Sequence, residues 1–228
     1  MPNTKSPASP GKSNRLYLAV DTAEGALQRL QAALVAAPAA AAVLLKSRGG
    51  GHADIAEIRP LVEAAQSKGA AVLLEDDARL ARTLRADGVH LSWTIDIVER
   101  YAEARDILGT RYIVGASAGA SRHDALTLGE AGADYVGFGL AADLPEADAQ
   151  DDRLDLIDWW AEIIEVPCVA LDIVSTAEAT QVLNAGADFV ALCLPAGSSP
   201  AASAEFAREV HQIKPDRALG KALSEGRG

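Results

Sequence analysis

Residues 131–138 read Ala131-Gly132-Ala133-Asp134-Tyr135-Val136-Gly137-Phe138. The same turn recurs as Ala86-Asp87-Gly88-Val89 and as Ala185-Gly186-Ala187-Asp188-Phe189-Val190. A helix ended by glycine or a short polar turn, followed by an apolar run, makes a helix-to-strand junction. Three copies of one junction mean successive βα units. Working outward, short apolar runs stand at Leu16–Val20, Ala41–Leu45, Ala71–Leu74, Gly88–Leu91, Tyr112–Ala116, Tyr135–Phe138, Val166–Leu171 and Phe189–Leu194. Each is bounded by Gly, Asp, Pro or Ser, the pattern of strands buried on both faces. Between them, Ile55, Ile58, Leu61, Val62 and Ala65 make one helical stripe, and Ile97, Val98, Tyr101, Ala104 and Leu108 make another. Pro60 inside the first is expected to kink or shorten it. The alternation predicts an α/β fold, a single (β/α)8 TIM barrel over residues 15–213, with flexible tails at 1–14 and 214–228. A doubly wound open sheet is the alternative, and it would move the site to a topological switch point.

Composition agrees with a globular domain. The chain has 228 residues, 49% hydrophobic and 23% charged, and a chain this long buries roughly 70–75% of its unfolded surface. The net charge of −11 repels phosphate backbones and anionic membranes, so nucleic acid is not an expected partner. No apolar run reaches the roughly 18 residues a membrane span needs, and Met1 to Asn14 lacks the apolar core of a secretory signal. Cys168 and Cys193 sit in apolar runs without metal-ligand spacing and read as buried thiols of a reducing cytoplasm. Seven acids and one base, Arg153, lie between Asp143 and Asp158. This segment reads as a solvated loop leading into a helix, or as a lid if it closes over the site.

In such a barrel, functional side chains gather at the C-terminal ends of strands. That rule selects Asp21, Lys46, Arg48, Asp76, His90, Asp96, Ser117, Gly139, Asp172, Gly197 and Ser198. Lys46 and Arg48 are two apart, so they share a face. Ahead of Gly49-Gly50-Gly51 they suit an anion grip, although a loop with incidental bases reads the same way. Glu75-Asp76-Asp77 offers the carboxylates magnesium prefers, and equally the acids of a helix N-terminus. His90 reads either as a core histidine or as a site residue. No Walker loop, GxGxxG, HExxH or GxSxG is present.

From Leu16 to about Ile213 the chain resembles the thiamine-phosphate synthases and their thiazole-tautomerase relatives. The likeness is carried by Leu16-Tyr17-Leu18 with Asp21, Ala86-Asp87-Gly88-Val89-His90-Leu91 and Ile113-Val114-Gly115-Ala116-Ser117. Ala131 to Gly139 and Val166-Pro167-Cys168-Val169-Ala170 extend it. The resemblance implies a (β/α)8 barrel that joins a pyrimidine diphosphate to a thiazole phosphate with magnesium. It implies a small phosphorylated molecule as partner and says nothing of the oligomeric state. On this likeness Lys46, Arg48, Ser117 and His90 are the catalytic candidates. Asp76 and, one place late, Asp96 are the metal candidates, and Gly197 and Ser198 a weak phosphate site. The family's glutamine before the strand-two bases is Leu44, its strand-seven glycine pair is Asp172-Ile173, and its loop after strand six is Leu140-Ala141-Ala142-Asp143-Leu144. A tautomerase histidine is missing at Gly119.

These departures set three expectations side by side. One is a thiamine-phosphate synthase-like transferase with reduced or lost activity. Another is a non-catalytic binding or regulatory barrel of the same descent. The third is a barrel enzyme on a different substrate. The acceptor-phosphate pocket at strands seven and eight discriminates among them, since carboxylate and bulk there disfavour a phosphate.

Overall fold

The computed structural model describes residues 16–46, 54–141 and 144–216. Eight strands alternate with eight helices: β1 Leu16–Asp21, α1 Ala26–Ala36, β2 Ala42–Lys46, α2 Ile55–Gln66, β3 Ala71–Glu75, α3 Ala78–Leu84, β4 Gly88–Leu91, α4 Ile97–Leu108, β5 Ile113–Ser117, α5 Arg122–Glu130, β6 Tyr135–Phe138, α6 Glu146–Ile163, β7 Cys168–Ile173, α7 Thr176–Ala185, β8 Phe189–Leu194 and α8 Pro200–His211. All strands are parallel, and β1 pairs with both β2 and β8, which closes the barrel in sequence order. The open-sheet alternative is thereby excluded. The expected tails at 1–14 and from 217 on, together with Arg48 and the glycine run at 49–51, lie outside the described residues.

Period two along each strand divides the side chains between two cores. Tyr17, Ala19, Leu44, Leu73, Tyr135, Val169, Leu171 and Ala191 fill the barrel interior. Leu18, Val20, Val43, Leu45, Val72, Leu74, Val89, Val114 and Val190 face outward and meet the apolar stripes of the helices. Five helices open on a side chain that accepts a backbone N–H: Asp54, Asp77, Ser121, Ser175 and Ser199. Pro60 neither breaks nor ends α2, which runs through it to Gln66.

The aspartate of each repeated turn performs the same task. Asp87, Asp134 and Asp188 donate their N–H to the carbonyls of Val72, Val114 and Cys168. Their Oδ2 atoms accept the N–H of those same residues at 2.8, 2.8 and 3.0 Å. Each aspartate thus ties the start of an even-numbered strand to the start of the strand before it, with a charge-assisted bond. The acidic segment after β6 is helical from Glu146, with Glu146 and Asp148 in the first turn where the dipole favours them. Its one base departs from the solvated reading. Arg153 is buried, with Nη1 on the Leu171 carbonyl at 2.9 Å and Nη2 on Glu178 at 3.4 Å.

Removing one of these ties is expected to loosen the barrel measurably. Asp134→Ala strands the Val114 N–H and frees Arg105, which Asp134 holds at 2.7 Å. The expected loss is about 2 kcal/mol of unfolding free energy in urea at neutral pH. Asp134→Asn, whose amide oxygen still accepts, should lose less. Equal stability of Asp134→Ala and wild type would remove the tie from the account of the fold.

Candidate active site

The inward phase of each strand carries a side chain up to the C-terminal mouth. Leu44 leads to Lys46, Leu73 to Glu75, Gly88 to His90, Gly115 to Ser117, and Gly137 to Gly139. Lys46, Glu75, His90, Ser117 and Gly139, with Leu44, Trp93, Leu171 and Asp172, line a cavity of about 550 Å³. Of the predicted residues, Lys46, His90, Ser117, Gly139 and Asp172 therefore share one chamber. Asp21, Asp76, Gly197 and Ser198 are at the same end of the barrel but do not line it, and Asp96 is exposed at the start of α4. Glu75, and not the expected Asp76, lines the chamber. Counting by twos from Leu73 finds it.

Lys46 and Asp172 form the electrostatic centre. Lys46 Nζ is 3.5 Å from Asp172 Oδ1 across the cavity. Burial works against the ammonium charge, but the carboxylates of Asp172 and Glu75 outweigh it and hold Lys46 above its ordinary range. Asp172 is at φ 59°, one of three non-glycine residues in the left-handed region among those described. It lies within the register shift between Ala170 and Ile173. The turn has the backbone of a glycine and the side chain of an acid. Ile173, by contrast, is completely buried in the outer core. Cys193 is half-buried rather than buried, with Sγ 4.0 Å from Asp172 Oδ1. Burial, then Asp172, pushes its thiol up to about 11, so it is a poor nucleophile.

His90 forms part of the floor. It is buried, its Nδ1 is 2.8 Å from Tyr135 Oη, and Tyr135 Oη is 2.9 Å from Tyr17 Oη. Burial brings the imidazole down to about 4, only partly offset by Asp76 and Asp172. At neutral pH it is uncharged. Ser117 Oγ accepts the Gly119 N–H at 3.2 Å. Trp93 forms a wall against Gly119 and bonds Asp124 through Nε1 at 3.0 Å.

The implied magnesium fits this donor set poorly. Asp76 Oδ1 already accepts Arg100 Nη2 at 2.7 Å and the Ser92 N–H at 2.8 Å. Asp96 is exposed, outside the cavity lining, and its carboxyl is held below the usual range first by the Thr94 hydroxyl. Among the described residues no three His, Cys, Asp or Glu side chains converge as a metal site. The weak phosphate site is likewise engaged internally. The Ser198 hydroxyl donates to the Pro195 carbonyl, and the neighbouring Ala196 N–H donates to Asp21 Oδ2.

Fold and site define a TIM-barrel protein with a small-molecule chamber at the catalytic face. A family model described as thiamine monophosphate synthase matches residues 16–195. The thiamine-phosphate synthase of Erythrobacter litoralis is 35% identical over 205 residues, covering 86% of this chain and 95% of that protein. That of Hyphomonas neptunium is 37% identical over 196 residues, covering 81% and 86%. The chain belongs to the thiamine monophosphate synthase family. The solved structure of thiamine phosphate pyrophosphorylase from Pyrococcus furiosus superposes with a TM-score of 0.68 at 23% identity, covering 93% of this chain and 98% of that one. Tryptophan synthase from M. tuberculosis gives 0.64 at 13% identity over 88% of this chain and 92% of that one. At those identities the superpositions speak for the barrel alone. No helix among the described residues is long and apolar enough to cross a membrane.

The neutral histidine has a consequence for acid stability. An unfolded His titrates near 6.5 and the folded one near 4, so between those values the unfolded chain binds the extra proton. The site's contribution is complete above about pH 6.5 and is lost as pH falls toward 4, about 3 kcal/mol over the window. Urea unfolding of wild type and His90→Gln at pH 7 and pH 4.5 checks it. The wild type should lose more stability than the variant, whose amide does not titrate, and parallel losses would contradict the assignment.

Proposed function

We propose that this chain is a thiamine-phosphate synthase-like protein whose mouth binds a small phosphorylated molecule and whose condensation activity is reduced or lost. Lys46 and Arg48 receive the diphosphate, and Ser117 and His90 line the pocket beside it. Asp172 stands where the acceptor's phosphate is expected. The observation that carries the reading is the 3.5 Å contact between Lys46 and Asp172. It spends the site's described cation on an internal anion. Two like charges about 4 Å apart cost roughly 4 kcal/mol at an effective dielectric near 20, more than one additional backbone hydrogen bond returns. Cys168 and Cys193, thiols rather than a disulfide, are in keeping with a cytoplasmic setting.

Binding of inorganic diphosphate tests the cationic half. Lys46→Ala is expected to weaken it by roughly 1–3 kcal/mol in calorimetry, and Asp172→Asn to tighten it by releasing Lys46. An unchanged affinity in both variants would detach the anion from Lys46.

Turnover tests the other half. With the pyrimidine diphosphate, the thiazole phosphate and magnesium in the assay, wild type is expected well below the ordinary enzymatic rate of about 1 per second. Asp172→Gly should raise turnover at least about tenfold, since it removes the charge and suits φ 59°. Restoring glycine at 173 as well is not advised, because Ile173 is core and its loss opens a cavity. Wild-type turnover at about 1 per second or faster would overturn the loss of activity.

A further inference from the structure

Tyr17, Tyr135 and His90 form a hydrogen-bonded line from the barrel interior to the cavity floor, and the proposed reaction uses only its last member. Tyr17 and Tyr135 are buried at 2% and 6% exposure. The Tyr135 and His90 rings are parallel within 3°, with centroids 5.7 Å apart. Space for the line is cut by glycine. A Cβ on Gly115 would fall inside the Tyr135 ring, and one on Gly137 would meet His90 Cε1 at 3.3 Å.

Proton counting decides the direction of the line. Each tyrosine has one hydroxyl proton, and Tyr17 Oη has Tyr135 Oη as its partner. If His90 carried its proton on Nδ1 and donated to Tyr135, Tyr135 would have to donate to Tyr17. Among the described residues Tyr17 Oη has no other hydrogen-bond partner, so its proton would then be buried without an acceptor, the arrangement folded proteins avoid. The reverse order satisfies every group: Tyr17 donates to Tyr135, and Tyr135 donates to His90 Nδ1. A neutral imidazole whose Nδ1 accepts carries its proton on Nε2.

We infer that Tyr17 and Tyr135 are positioning residues that lock His90 as its neutral Nε2–H tautomer. They thereby give the cavity floor a fixed hydrogen-bond donor that selects ligands presenting a ring-nitrogen or carbonyl acceptor. The lock stands apart from the condensation reaction, since it holds whichever molecule fills the chamber. The donor has no charge of its own, so a neutral acceptor suffices for this recognition.

Nitrogen-15 NMR of histidine-labelled full-length protein at pH 7.5 reads the tautomer directly. Wild type is expected to show Nδ1 as the unprotonated ring nitrogen of His90 and Nε2 as the protonated one. A proton on Nδ1 would overturn the lock without need of any variant. His90 resonances are assigned by comparison with His90→Gln. Tyr135→Phe removes the donor and should turn the single tautomer into a mixture, whereas retention of the wild-type pattern counts against the relay. Three ring probes of similar size then read the recognition. Pyridine, which accepts, should bind roughly threefold to tenfold tighter than benzene and shift the His90 Nε2 signal. Pyrrole, which only donates, should leave that signal in place. Tyr135→Phe should abolish pyridine's advantage. Equal binding of pyridine and benzene to wild type, or a shift with pyrrole alone, would reject the donor role even if the tautomer is as assigned.

Discussion

Strand phase is the constraint on which the rest of this molecule depends. A strand rotated by one residue would send Lys46, Glu75 and His90 outward into the helix layer and their apolar neighbours into the mouth. Three aspartates guard against that slip from the opposite end of the barrel. Asp87, Asp134 and Asp188 each clasp both backbone groups of one residue on the preceding strand, and such a two-point grip is satisfied in only one register. The chamber at the top is therefore fixed by carboxylates at the bottom, about a strand's length away.

At the mouth the same chemistry serves a different end. Asp172 is also an acid at a turn, but its carboxylate reaches a side-chain cation, Lys46, instead of a backbone N–H. Its left-handed backbone and the register shift beside it make a niche where main chain could approach a ligand closely. Arg153 anchors that bend from below through the Leu171 carbonyl. The backbone is shaped for an anion while the side chain supplies one. A rigid frame is therefore compatible with the reduced activity proposed for this site.

The fold was legible because its signals are local. Eight apolar runs, the repeated Ala-Asp turn and the capping residues all act within a few positions of themselves, and each appears in the structure close to where the pattern puts it. The site was only half legible. Lys46, His90 and Ser117 follow from strand-end position, and Glu75 would have followed from strict alternation after Leu73. Arg153 reads as one base in a solvated acidic run because its partners, the Leu171 carbonyl and Glu178, are 18 and 25 residues away. Asp76 reads as a metal ligand until Arg100, 24 residues on, is seen to hold it at 2.7 Å. Tyr17 and Tyr135, 118 residues apart, give no sequence signal of a shared purpose.

The split between bottom and top also decides how far family membership reaches. The Ala-Asp turns, the strand interiors and the Pro167-Cys168 entry to β7 carry the likeness, and their work is to close and register a barrel. The departures at Leu44, the segment around Leu140 and Asp172 lie around the chamber, where they change charge and shape without touching a strand tie. A barrel built this way tolerates such changes at little cost to folding. Thirty-five per cent identity to a synthase then certifies the frame, while the reaction rests on a few side chains that the frame does not constrain. On the proposed reading the decisive one is Asp172: like Asp76 it joins a left-handed backbone to a carboxylate, but only Asp172 of the two lines the chamber, where that charge opposes a phosphate.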